Sequence, residues 1–350
     1  MEKENFLQII RKLDQKLFQR IENNTYPLGV AYGYTGLAIY LFEKAKMTND
    51  SLYENYANLC IDYIFQELSS TMSIGIYNGY AGISLGVNVL SALGDIKISK
   101  KIFHDINELC FKNMNYVSNK EPDMISRLDT NELVLLIDYF CKQIEYSNTC
   151  QTENVIYKKL VIKIINYIYT ERLEDILCPP LYYATDNVLA RYIHGLYKAH
   201  ILGIHEIRIE RILDDLSSFV CSLIPIQTAS RLQMLYVMLE ISTFYKTSIW
   251  DNHIALLYKN IDVQSIIKDL YDKAIFYDKG LASIILLLEG IKKKFPNYTI
   301  EYDERMFFEK ISNSLAWNQL LVDEDYFQLH SNLFCGFPGL ILVCNKMNWL

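Results

Sequence analysis

The first turns of the chain show an amphipathic helical pattern. Apolar residues recur at positions 6, 9, 10, 13, 17 and 21, mostly three or four apart, with basic residues between them. This spacing places the apolar side chains on one face of a helix. The same pattern returns at 52–68, 98–117, 155–169, 207–223, 263–274 and 305–315. The sequence therefore predicts seven amphipathic helices.

A second, more apolar type of helix follows a recurring glycine motif. The motif reads Gly, an apolar or aromatic residue, a small residue, then Gly or Ser. Clear copies begin at Gly33, Gly79, Gly280 and Gly336, and weaker copies end at Thr130, Asp186 and Ala229. Each motif leads into a run of apolar residues, and helices that are apolar nearly all round are buried.

Seven buried helices alternating with seven amphipathic ones predict an all-α fold. We expect an α/α toroid of seven helix pairs, with about fourteen helices in two concentric rings. The inner helices are expected to start near Gly36, Gly82, Thr130, Asp186, Ala229, Ser283 and Gly339. The glycines are expected to supply left-handed backbone at one point of each loop and close helix approach at another. No Pro-, Gly- or Ser-rich stretch divides the chain, so residues 1–350 are predicted to form a single domain.

Composition narrows the classes of function. The 350 residues are 51% hydrophobic and 21% charged, with a net charge of −7. Such a chain has too much apolar surface to be disordered. It also lacks the basic surface that a general nucleic-acid binder needs.

The sequence favours the cytoplasm. The charged N-terminus has no apolar signal-peptide core, and the longest apolar runs are shorter than the ~20 residues of a membrane span. The eight cysteines are scattered without a Cys-x-x-Cys pair, which is typical of reduced thiols. The motifs of nucleotide-binding loops, zinc peptidases and serine hydrolases are absent.

The repeated glycine helix starts resemble those of the lanthionine synthetase C-like cyclases. The resemblance covers roughly residues 25–350 and implies the toroid fold. In that family a zinc ion converts a peptide cysteine into a thiolate, which adds to a dehydrated Ser or Thr to close a thioether ring. The zinc ligands are a Cys in the fifth loop and a Cys-His pair in the sixth, with an Asp in the third loop and a His in the fourth nearby.

Most of these site residues are replaced here. The third loop keeps its acidic residue, Asp123, which is the one catalytic candidate. The fourth loop has tyrosines in place of the His-Gly pair, and the fifth reads Ile224-Pro225-Ile226-Gln227 without a cysteine. The sixth loop carries Asp278-Lys279 where the resemblance implies Cys-His. We therefore expect no bound metal and no cofactor.

A rearranged zinc site is the alternative. Cys335 lies beside the seventh-loop glycine, and His330 lies five residues earlier. A third ligand would have to be Cys178, because zinc needs three or four ligands. We expect instead that Cys335 is a thiol at the cavity mouth and that His330 is a solvated loop residue.

Three functions compete. The first is a protein of ribosomal-peptide maturation that binds a precursor peptide or a peptide-modifying enzyme without catalysing cyclisation, and we prefer it. The others are an active zinc cyclase with a rearranged site and a helical-repeat interaction scaffold. For peptide binding we predict an aromatic-lined mouth formed by Tyr34, Tyr80, Tyr183, Phe337 and Cys335. The same rings could instead only cover the ends of the inner helices.

Overall fold

Helices form all of the regular secondary structure in the part of the chain that the structure describes. This structure, a computed structural model, describes residues 3–68, 72–97, 127–146, 151–178 and 182–350. The predicted all-α class is therefore confirmed. The predicted helix at 98–117 and the candidate Asp123 lie outside the described residues.

The described helices follow one another with short connections. In chain order they are α1 (Lys3–Glu22), α2 (Tyr34–Thr48), α3 (Ser51–Glu67), α4 (Tyr80–Ala92), α5 (Thr130–Tyr146), α6 (Gln151–Glu171), α7 (Leu173–Leu177), α8 (Val188–Ile201), α9 (Glu206–Val220), α10 (Thr228–Ile241), α11 (Ser248–Lys259), α12 (Val263–Asp269), α13 (Leu281–Lys294), α14 (Glu304–Ser312), α15 (Ala316–Val322), α16 (Glu324–His330) and α17 (Phe337–Lys346). A 3-10 turn, Pro296–Tyr298, follows α13.

The chain divides into two compact units. The first unit contains Met1–Met124, Tyr271–Ala282 and Asp303–Leu350. The second contains Ile125–Leu270 and Ser283–Tyr302. Each unit has its own set of packed helices, and a single domain over residues 1–350 stays a prediction.

All seven apolar helices begin where the sequence predicts. Their first residues are Tyr34, Tyr80, Thr130, Val188, Thr228, Leu281 and Phe337, each within two residues of its expected start. In the first unit α2 packs against α4 and α17, and in the second unit α8 packs against α5 and α10. Successive helices of this type are thus neighbours within each unit, as the inner helices of a toroid are. Closure into a ring of seven pairs stays a prediction.

Among the predicted amphipathic helices that the structure describes, the largest departure is at 263–274. The expected helix at 263–274 ends as α12 at Asp269, because Leu270 adopts an extended backbone. The residues that follow form the sixth loop, where the Ala274 carbonyl accepts from the Leu281 N–H at 3.0 Å. The Ala274 carbonyl therefore accepts a hydrogen bond that closes the loop, and it does not extend helix α12.

Several amphipathic helices begin differently from the inner helices that follow a motif glycine. Aspartate side chains cap several amphipathic helices, as when Asp50 accepts from the Leu52 N–H at the start of α3. Asp262, Asp303 and Asp323 do the same for α12, α14 and α16. Such a cap satisfies an N–H group that the helix leaves unpaired. The inner helices α2, α4 and α17 instead have glycine at this position, with no side-chain cap.

A buried polar network ties the first three helices together. Asp14 of α1 accepts from the Tyr40 hydroxyl at 2.6 Å and from the Tyr53 hydroxyl at 2.8 Å. The Lys44 ammonium lies 3.5 Å from the same carboxylate. Burial raises the pKa of Asp14, and Lys44 and the two tyrosines oppose that rise. The network fixes the register of α1, α2 and α3, since each partner would otherwise be buried without a hydrogen bond.

No helix in the described ranges is long and apolar enough to cross a membrane. The six cysteines that the structure describes are all free thiols.

Candidate functional site

Four loops of the first unit, here called the glycine loops, lead into inner helices. They are the first, second, sixth and seventh loops of the repeat, at residues 27–36, 73–82, 274–282 and 330–339. In three of them the first helical N–H donates to the carbonyl seven residues earlier. These bonds join Tyr34 to Pro27 at 2.8 Å, Tyr80 to Ser73 at 3.0 Å and Leu281 to Ala274 at 3.0 Å. The repeat seen in the sequence is thus a repeat of backbone geometry.

The glycine that begins the motif in each loop is needed because a carbonyl oxygen approaches its Cα. A Cβ would lie 2.0 Å from the Pro27 oxygen at Gly33 and 2.4 Å from the Ser73 oxygen at Gly79. At Gly280 and Gly336 the same distances, to carbonyls six residues earlier, are 2.4 and 2.2 Å. No side chain fits at such a distance.

The prediction of left-handed backbone at these glycines is wrong. The φ angles of Gly33, Gly79 and Gly336 are −129°, −108° and −128°. Among the glycines that the structure describes, only Gly94 and Gly203 have positive φ. The loops therefore require the absence of a Cβ and not a left-handed conformation.

Four half-buried rings come together at the glycine loops. This aromatic cluster consists of Tyr32, Tyr77, Tyr277 and Phe334. The Phe334 ring centroid lies 6.1 Å from Tyr32, 5.7 Å from Tyr77 and 5.5 Å from Tyr277. The loops are also joined by main-chain bonds, from the Phe334 N–H to the Ala31 carbonyl and from the Ala31 N–H to the Tyr77 carbonyl. The cluster is thus a built surface to which all four loops contribute.

The Cys335 thiol lies in the seventh loop and contacts side chains of the first and sixth loops. Tyr32 of the first loop donates its hydroxyl to the sulfur, and the thiol donates to the Asp278 carboxylate of the sixth. Burial and then the Asp278 charge raise the pKa of Cys335 to about 12. The thiol is therefore protonated at neutral pH, which makes it a poor nucleophile.

His330 is not the solvated residue that the sequence predicts. It is half-buried at the end of α16 and stacks on Phe276, with ring centroids 4.7 Å apart. Its Nδ1–H donates to the Cys335 carbonyl at 2.5 Å. Burial lowers the pKa of His330, and the contacts with Cys335 and Asp278 oppose that fall. The sequence placed His330 outside the core because its neighbours Leu329 and Ser331 give no helical pattern.

The structure also locates the rings predicted to bind a peptide. Tyr34, Tyr80 and Phe337 are fully buried, and Tyr34 donates its hydroxyl to Asn24 at 2.8 Å. Tyr183 is 3% exposed and lies in the second unit, where its hydroxyl is 2.8 Å from that of Ser283. Cys335 is half-buried and contacts Tyr32 of the aromatic cluster. Peptide binding by these five residues remains a prediction.

Sequence reasoning missed the four rings of the aromatic cluster. Each lies one to three residues before the glycine that begins its motif (Gly33, Gly79, Gly280 or Gly336), whereas the predicted rings Tyr34, Tyr80 and Phe337 follow that glycine. The residue after the glycine is the first of a buried helix and points into the core. An aromatic residue just before the glycine in all four glycine loops is the signal that could have found the cluster.

Glycine loops that lead into inner helices are the structural signature of the resemblance noted in the sequence. The family described as lanthionine synthetase C-like protein matches residues 24–200, which is half of the chain. The chain belongs to the lanthionine synthetase C-like family. No curated protein matches it significantly.

Zinc is the metal that the lanthionine synthetase C-like family implies, and the residues described here do not fit it. Loop six presents the Lys279 ammonium and the Asp278 carboxylate, and the latter already accepts from Cys335. Across the described ranges, no three His, Cys, Asp or Glu side chains are grouped so that they could hold a metal ion. Cys178 lies in the second unit and is exposed. The rearranged site of Cys335, His330 and Cys178 gains no support.

Proposed function

We propose that this lanthionine synthetase C-like protein binds a peptide in a ribosomal-peptide maturation pathway of the lanthipeptide type and does not perform zinc-dependent cyclisation. The observation that best supports this proposal is the composition of the sixth loop. Where the family places two zinc ligands, this chain has Asp278 in contact with a protonated Cys335 thiol, beside the exposed Lys279. A site that activates a peptide thiol needs a metal ion to hold the thiolate, and neither Asp278 nor Lys279 is the cysteine or histidine that the family uses as a zinc ligand.

The aromatic cluster is the proposed peptide surface. Rings held half-buried by their neighbours offer apolar contact area at little cost in side-chain entropy. Tyrosine hydroxyls can also hydrogen-bond to the main chain of an extended peptide. Here Cys335 and the four cluster rings contact the peptide. Tyr34, Tyr80, Phe337 and Tyr183 support their loops from within the cores of their units.

The proposal fits a cytoplasmic partner of the peptide-modifying machinery. The precursor peptide is the expected ligand, and a modifying enzyme that carries this peptide is the expected partner. The free thiols of the described residues suit a reducing compartment. The binding role needs no cofactor.

The test measures binding of the purified full chain to a leader-bearing peptide encoded beside its gene. Phe334→Ala removes the ring at the centre of the cluster, and we expect the dissociation constant to rise at least tenfold. Phe65→Ala, which truncates a ring on the outer helix α3, is the matched control and should leave binding unchanged. Melting curves of both variants verify that the chain is folded. Unchanged binding by folded Phe334→Ala would reject the surface.

Metal analysis and a cyclisation assay separate this proposal from the alternatives. We expect much less than one zinc per chain and no thioether formation on a dehydrated peptide. About one zinc per chain, lost in Cys335→Ala, would instead support the rearranged cyclase. An intact protein that binds no peptide and no metal would support the interaction scaffold.

A further inference from the structure

The fifth loop of the repeat lies in the second unit. It lacks the motif glycine of the glycine loops and the cysteine that the family resemblance implies. It contains no glycine and no cysteine, and it reads Ile224-Pro225-Ile226-Gln227 between α9 and α10. Its two isoleucines are 51% and 92% exposed. A loop whose apolar side chains face outward is not held by core packing, so another contact must fix its backbone.

Arg231 makes that contact. Its Nε donates to the Pro225 carbonyl at 2.6 Å and its Nη2 to the Ile226 carbonyl at 2.9 Å. Its Nη1 donates to the carbonyl of Asn260, the residue that ends α11, at 3.1 Å. One planar guanidinium thus joins two loop carbonyls to a neighbouring helix end, a use of the arginine fork that lysine cannot reproduce.

The position of Arg231 in its helix indicates that it is placed to bind these carbonyls. It lies four residues after the N-cap Gln227, at the end of the first turn of α10. A cation near a helix N-terminus is unfavourable because that end already carries partial positive charge. Three short hydrogen bonds to carbonyls offset this cost. A side chain at this position also points back toward the helix start, where the loop lies.

The fourth loop repeats the device. Arg191 lies four residues after the N-cap Asn187 of α8, and its Nε donates to the Thr185 carbonyl at 2.8 Å. In both loops the acceptor is the carbonyl two residues before the N-cap. Two loops of different sequence with the same contact in the same register indicate a structural device.

We infer that Arg231 is the positioning residue of the fifth loop, where its guanidinium serves as a built-in cation that fixes the loop carbonyls without glycine or a bound metal. Arg191 does the same for the fourth loop. This inference concerns the second unit alone and stands whether or not the aromatic cluster binds a peptide.

The experiment follows amide hydrogen exchange of the segment 222–228 in the full chain. We expect Arg231→Ala to raise exchange there at least tenfold, and Arg231→Lys to give an intermediate rise because it keeps the charge but loses the fork. Ethylguanidinium at millimolar concentration should restore part of the protection in Arg231→Ala. Arg211→Ala, at an exposed arginine of α9, is the control and should leave the segment unchanged.

A chelator provides the second arm. Exchange of 222–228 in the unaltered protein should not change when EDTA is added, because no metal holds the loop. Faster exchange with EDTA, or unchanged exchange in both Arg231 variants, would overturn the inference. Arg231→Lys keeps the test decisive if Arg231→Ala fails to fold.

Discussion

The glycine loops of the first unit differ from the fourth and fifth loops of the second unit, which Arg191 and Arg231 hold, in how they accommodate loop carbonyls. In both, the chain folds back so that loop carbonyls lie against the first turn of an inner helix. In the first unit these carbonyls crowd Cα atoms that carry no side chain, as at Gly33 and Gly79. In the second unit Arg191 and Arg231 hydrogen-bond to them.

The two solutions make the units sensitive to different changes. The glycine contact is steric, so any added side chain disturbs it, whatever its charge. The arginine contact is a charge-assisted hydrogen bond, which depends on the guanidinium and tolerates varied loop sequences. The second unit also uses charge further along its inner helices, where the buried Glu240 accepts from Lys294 at 2.8 Å and pairs with His194 at 2.5 Å.

The largest effect is expected from Gly82→Ala in the first unit. A Cβ at Gly82 would lie 1.9 Å from the Ile76 carbonyl oxygen, so backbone must shift. We expect a loss of about 3 kcal/mol in the free energy of unfolding, measured by urea titration. Valine should cost more, because β-branching adds a second clash.

Gly94→Ala is the matched control for this variant. Gly94 has open space around it but a φ of +78°, so only backbone strain of about 1 kcal/mol is expected. Equal losses at both positions would mean that the carbonyl contact is unimportant, and the comparison would fail.

The next largest effect tests the reliance of the second unit on charge. Glu240→Gln leaves Lys294 and His194 without their shared carboxylate. We expect a loss of about 2 kcal/mol, below the usual figure for a buried pair because Lys294 is 42% exposed and screened by water. Thermal unfolding at neutral pH checks this, with the exposed Glu174→Gln as control.

The same residue gives a pH dependence of known sign. Burial alone would raise the pKa of Glu240, but His194 and Lys294 outweigh it and hold the pKa below its ordinary value. Its stabilisation is therefore complete above about pH 4.3, the unfolded pKa, and is lost as the pH falls through the lower folded value. Glu240→Gln should remove this part of the acid sensitivity. An unchanged acid profile in the variant would contradict the assignment.

A smaller effect is expected at Arg191. Arg191→Met removes one donor to the Thr185 carbonyl, but the Gln233 amide still donates to that oxygen at 3.3 Å. We expect a loss of about 1 kcal/mol, measured by urea titration and accompanied by faster amide exchange in residues 183–187. A loss as large as that of Gly82→Ala would remove the distinction between the two kinds of loop.

The smallest effect is expected at the hydroxyl pair of Tyr183 and Ser283 in the second unit. Tyr183→Phe removes the hydroxyl that lies 2.8 Å from Ser283 within the second unit. We expect a loss of about 0.5–1 kcal/mol in thermal unfolding. Tyr298→Phe, at a half-buried tyrosine of the same unit, should cost less. A larger loss at Tyr298 would show that the buried hydroxyl pair adds nothing.

Sequence patterns predict helix positions well here because burial sets the apolar period. The starts of α2, α4 and α17 follow from glycine and an apolar run. The helix α11 (Ser248–Lys259) was missed because it lies between two predicted elements without a glycine motif. Its start is set by a Thr247 side-chain cap, which is a weak signal in sequence.

The candidate site was less predictable because it depends on contacts between distant loops. Nothing in the local pattern indicates that the Cys335 thiol meets Asp278, 57 positions away in the numbering of the chain. The sequence shows that glycine matters at the motif positions but not why. A crowded Cα and a positive φ both require glycine, so the sequence alone does not distinguish them. The role of Arg231 was invisible for a similar reason: an arginine in the first turn of a helix resembles any solvated cation.

Both kinds of loop act on a main-chain oxygen, which no mutation can delete. A single residue position that faces this oxygen therefore decides in each loop whether the oxygen is accommodated. The family match ends at residue 200, before the loop that Arg231 holds, yet inner helices of the same kind follow at α10, α13 and α17. The helical architecture therefore extends beyond the part of the sequence in which the family is recognised.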